Sequence, residues 1–246
     1  MRRLQTCLLI GLCITLWTLT GCGKDGESPV ASLFDELAPP KPSEAARDAF
    51  DIYDPDKRRR SITLLSNAPW GGEPEYLRLY RLLVDDPDPT VQAAAFRALG
   101  EHGEVEDALL ILPHLDHPAK VARWEATKAL QRIHHPRAID PLIERLTEDD
   151  DVDVRTAAAQ ALGQYRQPRV FQALIGALED RSFAVASAAR RSLRTLTGRD
   201  LGDTAGPWLQ WAETHRDLFG DSERYLYRPY QKSPGLLDRM QFWKER

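Results

Sequence analysis

Side chains that could hold a metal or serve as acid and base are sparse in this chain, and their spacing is poor. Its six histidines are His102, His114, His117, His134, His135 and His215, most of them beside Gly or Pro at helix ends or in turns. His114 with His117, and His134 with His135, offer two imidazoles each, enough for weak metal binding. A zinc site takes three or four protein ligands, and no His-Glu-x-x-His pattern supplies them. Nor is there a Gly-rich phosphate loop, a Gly-x-Ser-x-Gly turn or a recognisable pair of catalytic carboxylates. The formal net charge of −4 gives no global attraction for nucleic acid. The expectation is a non-enzyme with no catalytic residue, no metal, no cofactor and no nucleic-acid partner.

The three cysteines, Cys7, Cys13 and Cys22, all fall in the first 22 residues. Those residues read Met1-Arg2-Arg3, an apolar run from about Leu8 to Leu19, then Thr20-Gly21-Cys22. A charged start, a short apolar core and a small-residue exit make a secretory signal; a membrane-spanning helix needs about 20 apolar residues. The ending Leu19-Thr20-Gly21-Cys22 resembles the bacterial lipobox. That resemblance implies a lipoprotein signal peptide over 1–21, cleaved so that Cys22 comes first with a thioether-linked diacylglycerol and usually an N-acyl chain. Acyl chains at about 0.8 kcal/mol per buried methylene anchor firmly. The implied location is the periplasmic side of the cell envelope, with Gly23 in place of Asp resembling an outer-membrane address. An ordinary cleaved signal with a chance cysteine, or an uncleaved anchor, stays open. Loss of Arg2 and Arg3 with the leader would take the net charge to −6, and a chain starting at Cys22 would hold no disulfide. Residues 22–42, rich in Gly, Pro and Ser, read as a flexible tether.

What positions the remaining residues is a repeat. Val91 to Leu99, Ala122 to Leu130, Val154 to Leu162 and Val185 to Leu193 align, and a degenerate copy runs from Lys57 to Leu65. Numbered from 0, the copies place small or apolar residues at +4, +7 and +8, and in three of them at +3 as well, one stripe of a helix. Helix-start signals precede them at Asp54-Pro55, Asp88-Pro89, His117-Pro118, Asp151 and Asp180-Arg-Ser182. Segments with larger apolar residues lie between the copies: Tyr76 to Leu83, Ala108 to Leu112, Ile139 to Leu146 and Val170 to Leu178. Each period is therefore a helical hairpin that buries its stripe only by stacking on its neighbours. The predicted fold is all-α, an α-solenoid of the armadillo/HEAT superhelical type over 43–198, with a non-repeat cap and aromatic tail over 199–246.

Asp-x-x-Val-Arg-x-x-Ala-Ala-x-Ala-Leu-Gly, matched most closely by Arg155 to Gly163, resembles the HEAT-like repeats first noted in phycobilisome lyases. The resemblance covers about residues 54–198; it is specific for fold and weak for function. Deoxyhypusine hydroxylase, built on similar repeats, places His-Glu pairs at +2 and +3 of the repeat helix. Here those positions hold Arg59-Arg60, Ala93-Ala94, Trp124-Glu125, Thr156-Ala157 and Ser187-Ala188. Glu125 alone survives, so a metal-dependent enzyme or metal carrier is the disfavoured alternative.

Two rows of basic residues point away from the apolar stripe: Arg58, Arg123 and Arg155 at +1, and Arg97, Lys128 and Arg191 at +6. With Trp124, too large for an alanine-rich interface, they form a candidate surface for an unknown, anionic protein partner. The competing reading of the +1 row is structural, each arginine pairing with turn acids such as Asp86, Asp88, Asp151 or Asp153. Beyond the repeats, Trp208 and Trp211 share a helix face, suited to capping the last repeat or to contacting a partner. The tail from Tyr225 to Trp243 either straps back or docks. The expected function is a non-catalytic, lipid-anchored interaction scaffold at the envelope; a structural envelope spacer is the other alternative.

Overall fold

Aspartate side chains cap three of the repeat helices, two of them in Asp-Pro steps. Asp54 accepts a hydrogen bond from the Lys57 N–H, Asp88 from Thr90 and Val91, and Asp151 from Asp153 and Val154, each satisfying amides that a first helical turn leaves open. Pro55 and Pro89 follow their caps in the first turn, where a missing N–H costs nothing. A computed structural model describes residues 42–220. Cys22, the leader, the tether up to residue 41 and the tail from Tyr225 to Trp243 lie outside the described residues.

Eleven α-helices run through these residues, with no strand among them. They are α1 (Pro42–Asp48), α2 (Pro55–Ser66), α3 (Pro74–Leu82), α4 (Pro89–His102), α5 (Ala108–Ile111), α6 (Lys120–Arg132), α7 (Ile139–Glu148), α8 (Val152–Leu162), α9 (Pro168–Ala177), α10 (Phe183–Thr197) and α11 (Ala205–Thr214). The even-numbered helices α2 to α10 carry the five copies of the repeat, and each packs against the next; α3, α5, α7 and α9 form the second layer. The arrangement is an α-solenoid with a non-repeat C-terminal cap.

The alanines allow this spacing. In α8, Val154, Ala157, Ala158, Ala161 and Leu162 are all buried, as the stripe requires. In α4 burial goes further, taking in Gln92, Ala93 and Phe96, because helices cover it on several sides. Where neighbouring repeat helices approach most closely there is no side chain at all. A Cβ on Gly100 would sit 3.0 Å from the Ala129 Cα, and one on Gly163 would sit 2.7 Å from the Ser192 Oγ.

Three elements depart from the sequence pattern. The second helix of the second hairpin shrinks to the four residues of α5, flanked by 3₁₀ turns at Val105–Asp107 and Leu112–Asp116. Pro113 is the cause, since it has no N–H to continue the ladder. The start of α6 has no side-chain cap, with Ala119 in the capping place. Finally α1, for which the repeat pattern gave no signal, buries Ala45, and Ala49 just after it, in the same core and closes the N-terminal edge of the stack.

At the other end α11 packs on α9. Trp208 is fully buried and donates its indole N–H to the Gly202 carbonyl at 3.0 Å. Its ring and that of Trp211 stand 6.4 and 6.3 Å from Phe171 on α9. Both tryptophans therefore cover the apolar end of the last repeat, and one N–H finds the partner that burial demands.

Candidate partner-binding face

The +1 arginines are committed to the stack itself. Arg58 makes a two-pronged contact with Asp86 of the next repeat at 2.8 and 2.8 Å. Arg123 does the same with Asp149 at 2.8 and 3.0 Å, and Arg155 with Asp180 at 3.0 and 3.3 Å. The remaining nitrogen of each guanidinium turns back to the chain before its own helix: Arg58 to the Asp51 carbonyl, Arg123 to His117 and Pro118, Arg155 to Asp149 and Asp150. The planar fork thus ties a turn, its helix and the following turn together, the geometry for which arginine is suited.

The acids occupy one register, five residues before position 0. Asp86, Asp149 and Asp180 each also accept the N–H two residues on, from Asp88, Asp151 and Ser182. Of the acids expected to pair with this row, only Asp86 does so. Asp88 and Asp151 cap helices, while Asp151 and Asp153 take Lys120 at 2.9 and 2.7 Å. Burial pushes the Asp180 carboxyl upward, but the bonds from Arg155 and the Ser182 N–H outweigh it and hold the group below the usual range.

One rung is missing, and both of its members are missing together. Gln92 stands where the arginine would be and donates to the Asp86 carbonyl at 2.6 Å; its own side-chain oxygen is buried without a partner. The next acid position holds His117, whose Nδ1 accepts the Ala119 N–H at 3.0 Å, copying the carboxylate's local bond.

The +6 row behaves differently. Arg97 pairs with Glu125, the buried carboxylate at +3 of the next repeat helix. Lys128 approaches the same carboxylate at 3.5 Å and lies 4.1 Å over the half-buried Trp124 ring. Arg132 reaches Glu101 at 3.2 Å. These charges close the cleft between α4 and α6 to about 40 Å³. Two repeats on, the cleft along α8 and α10 opens to about 370 Å³, lined by Gln131, Gln160, Gln164, Arg191 and Thr195 over a floor of Ala188. Arg191 is exposed and, among the described residues, has no carboxylate within ion-pair distance. The glutamines of this cleft were not foreseen. The available signal was a column, Gln160 among cations at +6 and Ala188 where Glu125 stands at +3.

The histidines serve local structure. His102 bonds the Ser66 carbonyl at 2.7 Å, His134 the Gln131 carbonyl at 2.9 Å, and His135 accepts the Arg137 N–H. His114 packs on Phe96, and His215 stacks on Trp211. Among the described residues no three His, Cys, Asp or Glu side chains are grouped so as to hold a metal, and no helix is long and apolar enough to cross a membrane.

Stacked hairpins tied by an arginine–aspartate register make this a helical-repeat protein. The repeats are HEAT-like: the family described as HEAT repeats matches residues 108–194, from α5 to near the end of α10. A comparison with curated proteins finds no match.

Proposed function

We propose that the chain is a non-catalytic protein-interaction scaffold, moored at the cell envelope by lipid on Cys22. The observation that carries the interaction reading is the division of labour between the two basic rows. The +1 arginines are spent on rigidity, whereas the +6 row with Trp124 and Arg191 faces outward from a fixed frame. A stack of hairpins presents such a row at regular spacing, which suits an extended partner. Nothing in this arrangement requires bond-making chemistry of the chain itself. The mooring rests on residues 1–22, and Gly23 favours the outer membrane.

Two measurements test the two halves of the proposal separately. Mass spectrometry of the native N-terminal peptide should find Cys22 as the first residue, carrying acyl mass; an intact or unmodified N-terminus would remove the anchor. Crosslinking in cells should recover a protein set that thins when Trp124→Ala and Arg97→Ala are combined. An unchanged set would remove this face as a partner surface.

A further inference from the structure

The two clefts on the +6 face are versions of one site, and the difference between them says what is absent from the second. Between α4 and α6 a carboxylate enters at +3, on Glu125, and is met by +6 cations of both helices, Arg97 and Lys128. Between α8 and α10 the same three positions hold Ala188, Gln160 and Arg191. One cation remains, the second is replaced by an amide that can still donate hydrogen bonds, and the carboxylate is gone. The space left, about 370 Å³, lies at the lower end of the range of ligand sites.

We propose that this cleft binds the carboxylate of an acidic side chain on a partner protein, in the role Glu125 plays within the chain. Arg191 supplies the charge and the Gln160 amide a neutral donor beside it, a combination that fits a planar carboxylate. A second feature selects a peptide over a bare anion. Gln164 lines the same cleft, and its side-chain oxygen is buried without a hydrogen-bond partner. A buried acceptor left unpaired is costly, and a fully ionised anion has no proton to give it. A peptide brings backbone N–H groups along with its carboxylate, so it satisfies both requirements at once. Thr195 and Ser192 do not compete for the carboxylate as donors, because their hydroxyls already donate to the Arg191 and Ala159 carbonyls at 3.0 and 2.7 Å.

This inference rests on the +6 face being the partner surface but is independent of the lipid on Cys22. The test uses the full-length, detergent-solubilised protein and a fluorescent peptide of alternating Glu and Gly with both ends blocked, followed by anisotropy. Arg191→Ala and, separately, Gln160→Glu should each weaken binding at least tenfold, the second by placing a carboxylate of the chain's own beside Arg191. Both positions are at least partly exposed, so the fold is retained, which circular dichroism checks; Arg181→Ala, at an exposed turn, is the control and should bind like wild type. Replacing Glu by Gln in the peptide should abolish binding. Several results would overturn the proposal: no binding of the blocked Glu peptide, equal binding by the Arg191→Ala protein, binding only of a neutral peptide with a free C-terminus, or displacement of the probe by inorganic phosphate at equal concentration. A change in cellular crosslinks with Trp124→Ala and Arg97→Ala, combined with failure here, would leave the scaffold standing and remove only the acidic partner.

Discussion

Two rows of long polar side chains run along the same set of helices, five residues apart in each. In the row nearer the turns, Arg58, Arg123 and Arg155 are drawn into ion pairs that span adjacent repeats. In the other, about 7.5 Å further along each helix axis, Arg97 and Lys128 share one carboxylate and Arg191 has none among the described residues. Composition does not separate the rows. Their neighbours do: the turn acids lie level with +1, whereas +6 faces only other helix residues and pairs only where one of them happens to be acidic. A basic residue on a repeat is therefore structural or available according to its distance from the turn.

The sharpest way to break that comparison is to remove one member of each row. Arg58 and Asp86 are both nearly buried, with side-chain exposures of 8% and 5%. Arg58→Ala leaves the Asp86 carboxylate buried without its counter-charge, and chemical denaturation should show a loss of about 3–5 kcal/mol. Arg191→Ala, on the exposed row, should change stability by less than about 0.5 kcal/mol. Equal losses from the two would show that the rows do not differ in role.

A gentler intervention adds a rung in place of removing one. Gln92→Arg alone places a guanidinium opposite His117, and His117→Asp alone places a carboxylate opposite a neutral amide. Together they rebuild the pair found at the other three junctions. A double-mutant cycle read by denaturation midpoints should give a favourable coupling of about 1 kcal/mol. No coupling would mean that the α4–α6 junction holds its two turns at a different distance from the others.

Much of this was legible in the chain before the structure. The 31- to 32-residue spacing of Leu99, Leu130, Leu162 and Leu193 fixed the hairpins, because only stacked helices use alanine so heavily on one stripe. What the pattern could not carry was anything requiring the distance between repeats. Asp149 and Asp180 carry no such signal beside Asp151 and Asp153, which look like better partners along the sequence but sit further on, at the cap and in the first turn of α8. Gln160 and Ala188 were unremarkable singly, and gain meaning only against Arg97, Lys128 and Glu125 in a neighbouring copy. Pro113 was readable as a break, yet its conversion of a helix into 3₁₀ turns depends on the packing that holds Ile111 and Leu115 in the core.

Acid should act on the carboxylates of the turns. Asp180, Asp151 and Asp88 are all held below the usual carboxylate range against the opposing effect of burial, the first two by Arg155, by Lys120 and by backbone N–H groups, and Asp88 chiefly by Thr90. A depressed folded-state value gives stability that is present above the unfolded value, near 3.9, and is lost as pH falls through the folded one. Melting curves should therefore lose stability progressively below about pH 4. Arg155→Ala should flatten part of that loss, because Asp180 then titrates closer to its unfolded value. A steeper acid loss in the variant would contradict the sign.

His114 should give the smallest effect, in a separate pH window. Its ring lies 4.8 Å from that of the fully buried Phe96, and its side chain is only 13% exposed. Burial lowers its pKa from 6.5; Asp85, 3.4 Å away, opposes the shift, and the neighbouring His117 adds to it. The unfolded chain thus takes up a proton near pH 6.5 that the folded chain resists, so stability should begin to fall as pH drops below that value and continue until the folded ring titrates. His114→Phe keeps an aromatic ring against Phe96 and removes the proton. Its stability should be flat between pH 6.5 and about 5, where the wild type slopes. Because the remaining five histidines are unchanged in that variant, a slope that survives the substitution would assign the window to one of them and leave the turn beside the missing rung without a pH response.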